Sequence, residues 1–143
     1  MPFVYSTRVR FVDTDASGRI HYTAMLRHFE AAEQDFLRMI GAFYKTGYLA
    51  GVGFPRVHAE CDYTGMVAFD DPLDIEVRVE RVGNSSYTLG FAASVEGRPV
   101  AHGKLTIVSI DLGTQRPRAI PEELAGKLRA YQASSSAEAA LPA

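Results

Sequence analysis

The chain has 143 residues, which suits a single domain with one core. Hydrophobic residues make up 47% and charged residues 22%, proportions that are typical of a soluble globular protein rather than a disordered one. The formal net charge of -2 gives no electrostatic reason to expect a nucleic-acid partner. The single cysteine, Cys61, excludes an internal disulfide and a multi-cysteine zinc site.

The amino terminus lacks the basic start and apolar run of a signal peptide. No apolar stretch in the sequence has the length that a membrane-spanning helix needs. We therefore expect a cytoplasmic protein in a reducing environment.

The first elements of the chain change from strand-like to helical spacing. Phe3, Tyr5, Val9 and Phe11 share a parity that predicts an opening strand. Residues 13–18 are rich in turn formers and predict a loop. From about Thr23 the apolar residues fall three or four apart, which predicts a long, largely enclosed helix ending near a glycine. Its stripe consists of Met25, Phe29, Ala32, Phe36 and Met39/Ile40, and the glycine is Gly41.

The remaining elements are mostly strands with period-two alternation. After an uncertain segment (residues 43–53), alternation predicts strands over residues 57–63, 73–80 and 87–95, with an apolar run over 100–110. Turn-forming clusters at residues 83–86 and 96–99 join the last three strands into a meander. Pro121 and Glu122 predict the start of a helix that runs through Tyr131. We expect one domain over residues 1–132 and a disordered tail over residues 133–143.

This order of elements predicts an α+β fold in which a mainly antiparallel sheet wraps around the long helix. One helix cannot cover a sheet of that size, and the outermost strand needs a partner. A homodimer with paired sheets would meet both needs.

The segment that can carry chemistry is the loop ahead of the long helix. It holds two carboxylates, Asp13 and Asp15, next to a helix start that offers free N–H groups and partial positive charge. Such an end can stabilise negative charge on a carbonyl oxygen, while a carboxylate attacks the carbonyl carbon or activates water. Gly18 would let the loop turn back so that both parts converge. The residues alone slightly favour a structural alternative, in which both carboxylates only bind their own loop.

The motifs of the chain resemble those of the 4-hydroxybenzoyl-CoA thioesterase family, including its branch associated with the Tol-Pal system. Asp13, Asp15 and Gly18 match the Asp-x-Asp-x-x-Gly pattern, and the pair His21-Tyr22 follows in register. Two further stretches resemble the family: Tyr63 with residues 69–75, and residues 110–111 with residues 116–121. The similarity extends over almost all of the chain from Phe3 to Tyr131.

The resemblance implies a hot-dog fold, assembled as a homodimer or homotetramer, and hydrolysis of an acyl-CoA thioester. Asp15 would be the nucleophile or general base, and the backbone N–H near Tyr22 would polarise the thioester carbonyl. Gly18 and His21 would lie against the substrate, whose pantetheine arm would pass between subunits. CoA belongs to the substrate, so no separate cofactor is expected.

Further substrate contacts are weaker candidates. Glu60 could reach the site across a dimer, although an exposed sheet carboxylate is the commoner case. Ser86 could contact substrate, although a role in its turn is the simpler interpretation. Arg78, Arg81 and Lys104 could meet CoA phosphates, but isolated basic residues on strands are usually solvated.

No metal site is expected. The four histidines share no ligand spacing, and Glu30 and Glu33 are expected on a solvated helix face. A hot-dog hydratase or dehydratase is one rival function, but it would pair an aspartate with a histidine five positions later, where this chain has Ile20. A non-catalytic acyl-CoA-binding module is the other rival.

Overall fold

The computed structural model describes residues 2–42 and 50–139, the last five of these by backbone alone. Its elements, in chain order, are β1 (Phe3–Arg8), a 3-10 turn (Phe11–Asp13), α1 (Ala24–Met39), β2 (Val52–Gly53), β3 (Arg56–Tyr63), β4 (Pro72–Val82), β5 (Ser86–Val95), β6 (Arg98–Val108), β7 (Ile110–Asp111) and α2 (Glu122–Ala139). None of the helices in the described ranges is both long and apolar enough to cross a membrane.

Five strands form one antiparallel sheet in the order β1-β4-β5-β6-β3. The predicted meander is confirmed: β4 pairs with β5 and β5 with β6 through short turns. Helix α1 packs on the inner face of the sheet, and α2 lies against β4. The expected α+β architecture, a sheet around a long helix, is therefore the observed one.

The apolar stripe of α1 forms the centre of the core. Met25, Phe29, Ala32 and Phe36 are all fully buried, and the Phe29 ring stacks on Phe91 of β5 with centroids 4.7 Å apart. The helix ends as predicted beyond residue 39 at Gly41, whose φ of +76° suits glycine. The N–H of residue 42 then bonds to the carbonyl oxygen of residue 37 (2.8 Å), which caps the helix end.

The opening strand is shorter than predicted. Strand β1 stops at Arg8, and Phe11 belongs to a 3-10 turn with its side chain 80% exposed. The Arg10 N–H donates to the Asp13 carboxylate (2.8 Å), which closes this turn and breaks the alternation of buried positions. The shared parity of Val9 and Phe11 was therefore misleading, since only Val9 is buried.

Two further differences concern short or terminal segments. Val52–Gly53 pairs with Ile110–Asp111 in a two-stranded sheet, which no sequence pattern predicted. Residues 43–49 of the uncertain segment lie outside the described residues. Helix α2 continues past Tyr131 to Ala139, because this stretch contains no glycine or proline and several alanines favour the helix. The structure thus describes residues 133–139 as part of this helix, residues 140–143 lie outside the described residues, and the disordered tail stays a prediction.

The position of Glu33 corrects the expectation for the helix surface. Its side chain is fully buried and forms an ion pair with Arg56 at the start of β3. Position 33 follows Phe29 by four residues and precedes Phe36 by three, so it lies on the buried face of α1. Glu30 alone has the expected exposed position.

Candidate active site

The segment between the 3-10 turn and α1 forms a closed loop, which we call the acid loop (residues 13–23). The Asp15 N–H donates to the Arg19 carbonyl oxygen (2.9 Å), and the Gly18 N–H donates to the Asp15 carbonyl oxygen (3.0 Å). Gly18 has a φ of +81°, a conformation that side chains with a Cβ rarely adopt. Its predicted role in turning the loop is therefore confirmed, whereas its contact with substrate stays a prediction.

Asp13 ties the acid loop to α1. Its side chain is only 6% exposed, and its Oδ2 atom accepts a hydrogen bond from His28 Nε2 (3.1 Å) in addition to the one from the Arg10 N–H. A guanidinium nitrogen of Arg27 lies 3.5 Å from Oδ1. The Asp13 carbonyl oxygen also accepts the His21 N–H (2.7 Å), which closes the other side of the loop. Asp13 thus has the loop-orienting contacts that the structural alternative assigned to both aspartates.

Asp15 lies at the exposed outer side of the loop. Its Oδ1 atom accepts hydrogen bonds from the Ser17 hydroxyl (2.5 Å) and the Ser17 N–H (2.8 Å). These bonds, with a smaller contribution from the charge of His21, hold the pKa of Asp15 below its ordinary value. The carboxylate is therefore ionised near neutral pH. Ser17 orients it through Oδ1, and Oδ2 accepts no hydrogen bond from a described residue.

His21 and Tyr22 connect the loop to the helix. Their rings stack with centroids 4.5 Å apart, and His21 Nδ1 lies 2.8 Å from the Thr23 hydroxyl. The Tyr22 side chain is 75% exposed. The predicted pair is therefore next to the helix start, with one large aromatic surface open to solvent.

The backbone N–H groups at this helix start differ in whether they have a hydrogen-bond partner. The Thr23 N–H donates to His21 Nδ1 (3.2 Å), and the Ala24 N–H donates to the His21 carbonyl oxygen (2.9 Å). The Tyr22 N–H has no hydrogen-bond partner within the described ranges. A free donor at the positive end of a helix is a binding position for a carbonyl oxygen or an anion.

A cleft of about 340 Å³ opens beside the acid loop. Its wall comes from the loop and from the segment after β3: Arg19, Ile20, Tyr22, Tyr63, Gly65, Met66 and Val67. Asp15 is not among the lining residues. Its N–H donates to the carbonyl oxygen of Arg19, and Arg19 does line the cleft. The cleft therefore has Tyr22 and Arg19, the residue bonded to the Asp15 backbone, in its wall, whereas Asp15 itself does not line it.

The remaining candidates do not converge on this cleft within one chain. Glu60 alternates with Tyr63 to the opposite face of β3 and accepts a hydrogen bond from His58 Nε2 (2.9 Å). Ser86 pairs with Val108 at one end of β6, whereas Tyr63 pairs with Ala101 toward the other end. The Ser86 hydroxyl accepts a hydrogen bond from Arg81 (2.7 Å). Their contacts with substrate stay predictions that require a second copy of the chain.

The basic candidates for CoA phosphates are also on the strands. Arg78 forms an ion pair with Glu76 (3.1 Å), and Arg81 is bonded to Ser86. Lys104 is exposed and opposite Glu60 in the β3–β6 register. None of the three lines the cleft.

Two residues of the site were missed by the sequence reasoning. His28 falls within the apolar stripe of α1, and a polar side chain at such a position could have signalled a buried partner in the acid loop. Tyr63 was noted as part of an alternating strand and of the resemblance, but no role in the site was assigned to it. Its hydroxyl donates to the Tyr22 carbonyl oxygen (2.6 Å), a contact between residues 41 positions apart.

Comparisons with known proteins show the family of the chain. A family model described as the thioesterase-like superfamily matches residues 9–128. A 1,4-dihydroxy-2-naphthoyl-CoA hydrolase of Synechococcus sp. (strain CC9605) is 32% identical over 123 residues, covering 82% of this chain and 83% of that protein.

Solved structures show the same architecture. A gentisyl-coenzyme A thioesterase matches with a TM-score of 0.80 and 26% identity, covering 88% of this chain and 99% of that one. A 1,4-dihydroxy-2-naphthoyl-CoA thioesterase from Synechocystis matches with a TM-score of 0.84, covering 90% of this chain and 96% of that one; at 18% identity it supports the fold alone. The chain therefore belongs to the thioesterase-like superfamily, has the hot-dog fold expected from its resemblance to 4-hydroxybenzoyl-CoA thioesterases, and is a thioester hydrolase.

Proposed function

We propose that this protein hydrolyses acyl-CoA thioesters, with Asp15 as nucleophile or general base and the Tyr22 N–H as hydrogen-bond donor to the thioester carbonyl oxygen. The observation that carries the proposal is the free Tyr22 N–H at a helix start beside an open cleft. A donor fixed before the reaction stabilises the oxyanion without having to reorganise. The names of the relatives supply the acyl-CoA part of the proposal.

The state of Asp15 fits either role. Its depressed pKa keeps it ionised near neutral pH, and the bonds from Ser17 engage one oxygen only. As nucleophile, an Asp15 oxygen bonds to the carbonyl carbon, the C–S bond breaks, and water then hydrolyses the mixed anhydride. As general base, Asp15 takes a proton from water as its oxygen attacks, and the C–S bond breaks from the tetrahedral intermediate.

The thioester makes this small set of groups sufficient. A thiolate leaves readily, so CoA can depart without a dedicated acid and take up a proton from solvent or from Asp15. The lone cysteine does not offer a rival nucleophile, because partial burial raises the pKa of the Cys61 thiol and keeps it protonated. The remaining requirement is a thioester carbonyl placed between the carboxylate and the free N–H.

The test is release of free CoA thiol from a panel of short-chain, long-chain and aromatic acyl-CoAs. The panel should include the 1,4-dihydroxy-2-naphthoyl and gentisyl thioesters that name the relatives. We expect thiol release with at least one member. Tight binding of every ligand without thiol release would favour a binding module, and a change in double-bond absorbance without thiol release would favour hydration.

We also propose that the active unit is a homodimer or a larger homo-oligomer. Strand β3 is at the edge of the sheet, and most of its side chains are exposed, including Val57 at 61%. Such an edge with apolar side chains is normally covered in soluble proteins. A second copy would cover it and could bring Glu60 or Ser86 toward a cleft that neither residue reaches within its own chain.

Light scattering coupled to size-exclusion chromatography, with specific activity measured over a dilution series, tests this assembly. We expect a mass of at least two chains and a specific activity that falls when dilution separates them. A fully active monomer would contradict the proposal and would remove Glu60 and Ser86 from the list of candidate contacts.

A further inference from the structure

We propose that Tyr63 is a positioning residue for hydrolysis: its hydroxyl group holds the first turn of α1 so that the Tyr22 N–H stays free and points to the substrate. The inference rests on the proposed function of the Tyr22 N–H and assigns a role to a residue of β3. Tyr63 lines the same cleft as Tyr22.

The Tyr63 hydroxyl links the end of β3 to the helix start. It donates a hydrogen bond to the Tyr22 carbonyl oxygen (2.6 Å). This bond fixes the peptide group that follows Tyr22, and so it restrains the residue whose N–H is the proposed donor. The Thr23 and Ala24 N–H groups are both bonded to His21, whereas the Tyr22 N–H has no partner in the described part of the chain.

The sheet provides a fixed base for this link. Tyr63 is the last residue of β3 and pairs with Ala101 of β6. The next two N–H groups, of Thr64 and Gly65, both donate to the Val100 carbonyl oxygen, at 2.9 and 3.1 Å. The backbone that carries the Tyr63 ring is therefore fixed in the sheet, so the hydroxyl bond holds the helix start at a fixed position relative to the sheet.

The hydroxyl remains a donor over the pH range in which the protein would work. Partial burial raises the pKa of Tyr63 to about 12. The bond to the Tyr22 carbonyl oxygen needs the proton, because a phenolate could not donate. The link is thus intact at neutral pH and also well into the alkaline range.

Tyr131 offers a matched control elsewhere in the fold. Its hydroxyl also donates to a backbone carbonyl oxygen of another element, that of Val77 (3.0 Å), and it accepts the Phe3 N–H (2.8 Å). Tyr131 belongs to α2, packs on Phe36 and is not part of the cleft. Removing either hydroxyl therefore breaks a hydrogen bond to a backbone carbonyl oxygen, but only Tyr63 is at the proposed site.

The experiment compares Tyr63→Phe and Tyr131→Phe with the wild-type protein in steady-state thiol release and in amide hydrogen exchange. For Tyr63→Phe we expect kcat to fall by about 10-fold to 100-fold with KM changed by less than about threefold, as for a misplaced transition-state donor. Exchange at the amides of the first turn of α1 should accelerate, because this turn loses its bond to β3. For Tyr131→Phe we expect a comparable change in Tm with kcat near the wild-type value.

Incorporation of 3,5-difluorotyrosine at position 63 gives a second readout that keeps the ring and hydroxyl in place. The fluorinated phenol ionises at lower pH, so kcat should fall at an alkaline pH where the wild-type kcat is still constant. This arm also applies if Tyr63→Phe does not fold.

The outcomes separate the two claims. Wild-type kcat in Tyr63→Phe, or an alkaline profile unchanged by fluorination, would overturn the role of Tyr63 and leave the proposed function intact. Absence of thiol release by the wild-type protein from every acyl-CoA would overturn the proposed function. Faster exchange in the first turn of α1 in Tyr63→Phe would then still support the link between β3 and the helix start.

Discussion

The two aspartates of the acid loop differ in burial and in contacts, one on the inner side of the loop and the other on the outer side. On the inner side, Asp13 is buried and contacts Arg10, His28 and Arg27. On the outer side, Asp15 is exposed, and its carboxylate accepts hydrogen bonds from Ser17 through one oxygen. The two residues have the same functional group and are two positions apart. Their difference teaches that contacts, rather than residue type, decide whether a loop carboxylate is enclosed or left open to solvent.

The largest effect should come from Asp15→Asn. The amide oxygen can still accept from Ser17, so the loop should keep its shape, but the neutral side chain is neither a nucleophile nor a base. We expect kcat for thiol release to fall by about 10²–10⁴-fold, with a free energy of unfolding within about 0.5 kcal/mol of wild type. Steady-state kinetics and urea unfolding measure the two quantities.

Asp111→Asn is the control for this substitution. Asp111 is the last residue of β7, accepts two loop N–H groups through Oδ1, from Gly113 (2.8 Å) and Thr114 (2.9 Å), and has a lowered pKa. It lies outside the acid loop, so kcat should stay near wild type. Near-wild-type turnover in Asp15→Asn would remove Asp15 from the mechanism.

The next effect, on stability, should come from Asp13→Ala. The substitution leaves the Arg10 N–H and His28 without their shared acceptor, which costs about 1–3 kcal/mol of unfolding free energy. Activity should fall as well, since the loop would lose its attachment to α1. Urea unfolding that gives the wild-type free energy for Asp13→Ala would show that the inner side does not hold the loop.

A smaller effect should come from Ser17→Ala, which removes the hydroxyl bond that contributes most to the lowered pKa of Asp15. The carboxylate must be ionised to react, so activity is lost as pH falls through its pKa. Because the substitution raises that pKa toward its ordinary value, the acid limb of kcat/KM should move to higher pH. An acid limb that stays in place would mean that another group controls it.

The fold was largely predictable because its signals are local. Strands β4, β5 and β6 each have one face that is more buried than the other. The alternation of apolar and polar residues along the chain indicates this directly. The pairing of Val52–Gly53 with Ile110–Asp111 involves two residues on each side, too few to produce a period. Burial of Glu33 was missed because a charged side chain was expected to be solvated, although the spacing of position 33 is that of the buried face.

The site was predictable only as far as the acid loop is local. Asp15, Gly18 and Tyr22 lie within one short segment, so their proximity follows from the chain itself. The Tyr63 contact depends on how β3 packs against α1, and no pattern in either segment reports it. Contacts that involve a second copy, as proposed for Glu60, are further from what one sequence can show.

The most direct test is a crystal structure of Asp15→Asn bound to an uncleaved acyl-CoA that the wild-type protein hydrolyses. The account predicts the thioester oxygen about 2.7–3.1 Å from the Tyr22 nitrogen, with the substituted side chain at position 15 against the carbonyl carbon. A thioester bound away from this helix start, or with that side chain facing solvent, would contradict it.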